Sequence, residues 1–459
     1  MNHYALAGIL GYVIVQFVVG AWVSRRMTSE RDYIIANRSL GTALVAFSVF
    51  ATWFGAEAIV ASAGEIYTKG LAGGLTDPFG YGAAVLVVGL LLAAPLWRRG
   101  IVTYADMVRE RYSALTEKLF VVILLPGSVL WAAAQVRAFG QILGSTTGLD
   151  VETAVLIAAL LVGAYAVVGG LLADAITDVV QGIAVMIGLV VLAVFVAVAL
   201  GGPEEALARI EPARLTLAMG PEDTVLDRIE HLTVVICGSL VAVELVSRFL
   251  GARTAAIAAR GTIAGGLMYL AIGLLPLFLG LVGPTLLKDL AEPEQIVPKL
   301  AESYLPPIGY ALFVGALVSA ILSVVHAALH APAAQVSHNV AIRLLPGLSP
   351  RGRLYCVRLS VLVLSAIAWG LAHSVATIKE LVELASAFGS AGAIVVALFG
   401  LFTGFGGAAA AIASLVSGSL VWAFGKFALE LQTPFLIALF VSLTVYVSVG
   451  LFERRMTAR

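Results

Sequence analysis

Charge is what this sequence has least of. Only 12% of its 459 residues are Asp, Glu, Lys or Arg, about half the share found in soluble domains. A water-soluble fold cannot hide a chain that is 60% hydrophobic, which excludes soluble enzymes and signalling domains. The formal net charge of zero gives no footprint for nucleic acid. Cysteine is nearly absent: Cys237 and Cys356 each sit in or beside an apolar run, so neither a disulfide framework nor a transition-metal cluster is indicated. Long polar segments are missing too, none exceeding about thirty residues, too short for a separate catalytic or nucleotide-binding domain. The first apolar run, Tyr4 to Val23, precedes Arg25 and Arg26 and lacks the charged start and small-residue cleavage site of a signal peptide, so it reads as a retained helix.

What is present is a series of apolar runs near the length that crosses the hydrocarbon core as a helix. Thirteen spans are expected, at 4–23, 40–68, 77–97, 119–145, 151–171, 176–200, 230–250, 258–285, 305–344, 354–372, 379–403, 406–427 and 433–452. The chain is therefore expected to be an all-α polytopic protein solvated by membrane lipid, residues 1–459 forming one transmembrane unit. Arginine orders the loops. Arg25, Arg26, Arg31 and Arg38 follow the first span, and Arg98, Arg99, Arg109 and Arg111 follow the third. Arg253 and Arg260 follow the seventh, Arg343, Arg351 and Arg353 the ninth, and Arg454, Arg455 and Arg459 close the chain. With thirteen spans all lie on one face, and the positive-inside rule puts the N-terminus outside and the C-terminus in the cytoplasm. The 201–229 segment runs against this with Arg209, Arg214 and Arg228, interspersed with Glu204, Glu205, Glu211 and Glu222.

Glycine interrupts several spans, and Gly55 in the second span stands beside Glu57. Broken helices at the midplane expose backbone groups to a substrate or ion, although a single glycine more often marks close helix packing. An intramembrane carboxylate is costly and faces the protein interior or a water-filled cavity, so Glu57 is a functional candidate. Asp178 in the sixth span and Glu244 in the seventh raise the same question. Arg248 follows Glu244 by four residues, on the same helix face, and a structural ion pair is expected there. In the ninth span His326 and His330 have the spacing of a metal pair, but no third ligand accompanies them.

Four ordered segments carry a resemblance: "SERDYIIANRSLG" (29–41), "RRGIVTYADMVRERY" (98–112), "VVGGLLADAITDVVQG" (167–182) and "VSRFLGAR" (246–253). Together they resemble the sodium:solute symporter family over essentially the whole chain, the third matching its GG…TDxxQ signature. In the fourth, Ser247 stands where Gln is usual. The resemblance implies a LeuT-type fold of two inverted five-helix repeats, at about 40–200 and 230–403, flanked by the first span and the last two. It implies a central substrate site between the second and seventh spans, helped by the third and eleventh, with Trp53, Gly55 and Glu57 at the break. No organic cofactor is implied.

The family's main sodium site, carried onto this sequence, takes the carbonyls of Ala51, Phe54 and Ala320 and the hydroxyl of Ser323. Val324 stands where a second hydroxyl is expected, leaving four protein oxygens for a hard cation that takes roughly five or six. A second sodium site in some members pairs the equivalent of Asp178 with hydroxyls at positions that here are His326 and Ala327. Asp178 and His326 are thus expected either to form a charged pair in place of the ion or to hold a proton, since histidine titrates near neutral pH; the opposing expectation is a static core histidine with water completing the sodium shell.

The function expected is alternating-access symport of a small organic solute with sodium or protons, in a prokaryotic cytoplasmic membrane. Glu57 favours a solute with a positive amine or several hydroxyls. The competing expectation is a transporter-like sensor that binds ligand without net transport. A membrane enzyme is not expected: its only polar cluster at a membrane face, Asp106, Glu110 and Arg111, falls in the family's 98–112 segment.

Overall fold

The computed structural model describes residues 3–25, 27–217, 224–372 and 378–457; Arg26, Glu222 and Arg459 lie outside them. Eleven helices are long and apolar enough to cross a membrane, and twelve if the bent pair Val225–Val241 and Val243–Leu250 is one span. The expected thirteen is not reached by that measure. The difference lies in Thr42–Trp53, which is short, and in Glu57–Arg98, a run of 42 residues without a gap in its helical turns. That run is not straight. The Ser62 hydroxyl donates to the Asp77 carbonyl at 2.7 Å, whereas fifteen residues of straight helix would separate them by roughly 22 Å. The chain turns back through Gly70–Gly74, so the run is a hairpin that returns Asp77 to the side of the second span.

Burial separates centre from rim. In the apolar window of Pro307–Leu344, 72% of residues are buried, against 28% in Leu6–Ser24 and 28% in Pro434–Met456. The ninth span is therefore the axis, and the first and last spans present most of their surface to lipid. The first span is fastened to the ninth by a polar clamp, Gln16 donating to the Ser319 hydroxyl at 3.1 Å and carbonyl at 3.2 Å. Such bonds hold helices where the lipid gives no hydrophobic drive to pair them.

The four signature segments meet one another. Leu40 N–H donates to Gly251 O and Arg253 N–H to Leu40 O, both at 3.0 Å, tying the entry of the second span to the end of the seventh. Arg38 donates to Ile101 O at 3.0 Å, and the Tyr33 hydroxyl reaches Ala166 O at 2.5 Å. The arginines after alternate spans also converge: Arg253 on Ser39 O, Arg343 on Asp106, and Arg111 on the carbonyls of Phe405 and Gly406. These segments share one face. On the other, Arg214 of the mixed loop caps the second span by donating to Ile66 O at 2.8 Å and Tyr67 O at 2.7 Å, so its charge is engaged with a helix C-terminus.

Candidate functional site

The second span breaks where the sequence put a glycine beside an acid. The Thr42–Trp53 helix ends at Phe54, whose ψ of 67° is not helical, and Gly55 N–H turns to Trp53 O at 3.1 Å. Ala51 O is thereby left without the donor that a continuous helix would supply. Glycine is needed here because a Cβ at residue 55 would lie 2.6 Å from Val324 Cγ2 and 3.1 Å from Gln135 Oε1. Val324, the residue replacing the expected hydroxyl, is thus what seals the break against the ninth span. Glu57 opens a π-helical turn, Glu57–Ala61, before the helix resumes.

A small niche of about 70 Å³ lies at the break, walled by Trp53, Glu57, Tyr81, Ser128, Trp131 and Glu244 among others. Trp53 and Trp131 stand with ring centroids 5.3 Å apart, and the Tyr81 hydroxyl and Trp131 indole point at the Glu57 carboxylate. Tyr81 also meets Ser386 of the eleventh span at 3.3 Å. Glu57 is shared with a larger cavity of about 470 Å³, which passes Ser62, Asp77 and His231 and reaches Ala213 and Thr216, both exposed. The seventh span contributes a second break: Ala242, extended at ψ 113°, divides it with a bend of 40°. Neither that break nor the placement of Trp131 and Asp77 is signalled by the residue pattern.

The opposite face is closed by a polar network. Asn339 Nδ2 donates to Asp106 Oδ1 and Glu117 Oε1, both at 2.8 Å, and Arg343 reaches the same two oxygens at 2.8 and 2.9 Å. Arg109 pairs with Glu117 at 3.0 Å, and His338 touches Glu30 at 2.5 Å and Asp106 at 3.5 Å. Burial by itself would raise the Asp106 carboxyl; hydrogen bonds and charge from His338 and the N–H groups of Thr103 and Val102 outweigh it and hold it at about 2. Glu110 and Arg111 of the expected polar cluster are not part of this network, Arg111 capping the carbonyls at 405–406 instead.

Two expected pairings are corrected. Asp178 does not meet His326: its oxygens take the hydroxyls of Ser48, at 2.6 Å, and of Ser323. His326 Nδ1 stands 2.8 Å from Asp174 Oδ2, one turn earlier on the sixth span. Arg248 does not pair with Glu244 either; its Nη1 lies 2.5 Å from the same Asp174 oxygen, leaving Glu244 to the niche. Asp174, Arg248 and His326 are fully buried. The glycine pair of the signature makes room for the ring, since a Cβ at Gly169 would sit 3.1 Å from His326 Nε2. Tyr165 and His330 flank the imidazole with centroids 5.2 and 5.3 Å away. Ser323 of the ninth span and Ser48 of the second are thus joined through Asp178 of the sixth, whereas no polar contact joins Ala320 to the break among the described residues.

The sodium:solute symporter family model matches residues 33–418. The high-affinity choline transporter 1 of Drosophila melanogaster is 31% identical over 193 residues, 41% of this chain and 31% of that one. Its human counterpart is also 31% identical, over 40% of this chain and 33% of that one. The chain thus spans about a third of the length of these choline transporters. The Escherichia coli sodium/pantothenate symporter is 26% identical over 75% of this chain and 74% of its own. Among solved structures, a substrate-bound, outward-open Na+-coupled sialic acid symporter superposes with a TM-score of 0.85 at 16% identity, covering 97% of this chain and 96% of that one. A nucleobase-cation-symport-1 family transporter in a closed conformation gives 0.62 at 14% identity, over 92% and 94%. The architecture is accordingly the LeuT-type bundle, and the chain belongs to the sodium:solute symporter family.

Proposed function

We propose that this protein is a secondary active symporter that carries a cationic organic solute across the membrane with sodium, by alternating access around the break in the second span. The observation that carries the reading is Glu57: an intramembrane carboxylate at a helix break, between two tryptophans and a tyrosine, on a cavity that reaches one face while an ion-pair network closes the other. Carboxylate plus aromatic faces is the chemistry that recognises an ammonium or quaternary ammonium head. The choline transporters among the relatives agree with that chemistry.

Sodium is assigned to the oxygens of Ala51, Phe54, Ala320 and Ser323, with water in place of the hydroxyl that Val324 lacks. Ser323 donates to Asp178, which turns its lone pairs away from the carboxylate and frees them for the ion. Sodium held between the second and ninth spans favours the open cavity and raises affinity for solute, and by linkage the solute does the same for sodium. A proton, where one is coupled, belongs to Asp174 and His326 rather than to Asp178 and His326. The Arg-rich, closed face is taken as cytoplasmic, residues 1–459 as one transporter unit with repeats at about 40–200 and 230–403, and the membrane as a prokaryotic cytoplasmic membrane.

The test is uptake into proteoliposomes of labelled choline-like and other cations, neutral sugars and carboxylates, under an imposed sodium or proton gradient. Sodium-driven uptake of a cation is expected, falling at least about tenfold in Glu57→Gln, as loss of a charge-assisted contact predicts. Uptake of an anion or neutral solute untouched by Glu57→Gln would refute the reading, and tight binding without net uptake would make the protein a sensor.

A further inference from the structure

Glu57 is not the only acid on the solute path. Glu244 shares the niche with it, and Asp77 shares the larger cavity. Asp77 is 6% exposed and Glu244 4%. The Tyr269 hydroxyl donates to Asp77 Oδ1 at 2.7 Å, but Asp77 Oδ2 and Glu244 Oε1 are buried with no hydrogen-bond partner among the described residues. No described basic side chain forms an ion pair with Glu57, Asp77 or Glu244, and the bases lining the larger cavity are engaged elsewhere. Lys69 pairs with Glu65 at 3.1 Å, His231 faces Glu383 at 3.9 Å, and Arg228 donates to Leu217 O at 2.5 Å. Arg248, one turn from Glu244, is held by Asp174.

Buried carboxylates in a membrane protein need positive charge or donors; Glu57 takes donors from Tyr81 and Trp131 and Glu244 from Ser128, so the oxygens left for an occupant of the cavity are Asp77 Oδ2 and Glu244 Oε1. A single monovalent ion answers this poorly at Asp77. The one free oxygen of Asp77, the buried Oδ2, is not the cage of about six oxygens that a hard cation takes. An organic ammonium, with its donors pointed at one carboxylate, suits it well.

Spacing sets the shape of the ligand. Ser62, whose hydroxyl holds the Asp77 backbone carbonyl, follows Glu57 by five residues across the π-helical turn, which sets the two backbones on the order of 7 Å apart along the helix. A chain of about four or five methylenes spans that distance. We propose that the solute carries at least two cationic centres, as a linear diamine or polyamine does. One ammonium sits in the niche of Trp53 and Trp131 against Glu57 and Glu244, and the next reaches Asp77. This rests on the cationic-solute reading above and narrows it.

Calorimetric titration of the purified protein in sodium decides the matter, with terminal diamines of increasing length, monoamines of matched length, and choline as probes. Diamines are expected to bind at least about tenfold tighter than matched monoamines, with the best length at about four or five methylenes. In Asp77→Asn, which keeps an acceptor for Tyr269, that advantage should shrink to less than about twofold. The length series in the unmodified protein stands even where the variant fails to fold. Equal binding of monoamines and diamines, or an advantage that survives in folded Asp77→Asn, overturns the second cationic centre and leaves the cationic-solute reading intact. Binding of no amine and no choline overturns both.

Discussion

The Asp174–Arg248 pair supplies a stability test whose size follows from its burial. Both side chains are fully buried, and a single Asp174 oxygen serves Arg248 Nη1 at 2.5 Å and His326 Nδ1 at 2.8 Å. Removing one partner strands a charge in low dielectric and costs about 3–5 kcal/mol, whereas replacing both by apolar side chains of similar volume is close to neutral. The two single variants differ in what they strand. Arg248→Met leaves Asp174 one remaining polar neighbour, His326 Nδ1 at 2.8 Å. Asp174→Leu leaves a guanidinium that cannot be neutralised, so it should be the worse of the two. The double variant should then lose less than either single one, with a coupling free energy on the order of 3 kcal/mol or more. Thermal unfolding can be followed with a thiol-reactive fluorophore, because Cys237 and Cys356 are the chain's two thiols and both are part-buried. A double variant destabilised by the sum of the singles would refute the pairing.

Three further outcomes are expected. Gly55→Ala would place a Cβ 2.6 Å from Val324 Cγ2 and cost about 1–3 kcal/mol through overpacking, with sodium-driven uptake lost; Val324→Ala should restore both, and an uncorrected double variant would show that the break does not depend on this contact. Asp106, held at about 2 against an ordinary 3.8, has a depressed carboxyl, so its contribution is complete above the ordinary value and is lost as pH falls from about 4 towards 2. Unfolding at graded acid pH should show about 2 kcal/mol lost over that window, absent in Asp106→Asn, with no slope from this group between about pH 5 and 8. Glu230 of the seventh span caps the last one, accepting from Phe435 N–H at 2.7 Å and Leu436 N–H at 2.8 Å; Glu230→Ala should cost about 1–2 kcal/mol in thermal unfolding, and an unchanged melting temperature would deny the cap any weight.

What the sequence discloses here is what a helix discloses about itself. An acid next to a glycine inside an apolar run announced the break at Gly55 and Glu57, and arginines after alternate spans announced which loops share a face. Contacts between helices were legible only where a motif imported them. Asp174 and Asp178 lie one turn apart on one face of the sixth span, and either was available to a histidine on the ninth. The choice depends on the vertical offset of two helices, which periodicity does not encode. The same offset hands Arg248 to Asp174 instead of to Glu244, although the spacing of Glu244 and Arg248 along their own helix is ideal for a pair. Trp131 and Ala242 carried no signal because a tryptophan in a span and an alanine in a helix are ordinary, and only the facing break gives them a role. The expected span 77–97 sets Asp77 at its edge. A hairpin at Gly70–Gly74 folds it back beside Ser62, so a residue at the end of an apolar run becomes a buried acid lining the larger cavity. In each case the missing quantity is how one helix is set against another, and that quantity is also what alternating access changes.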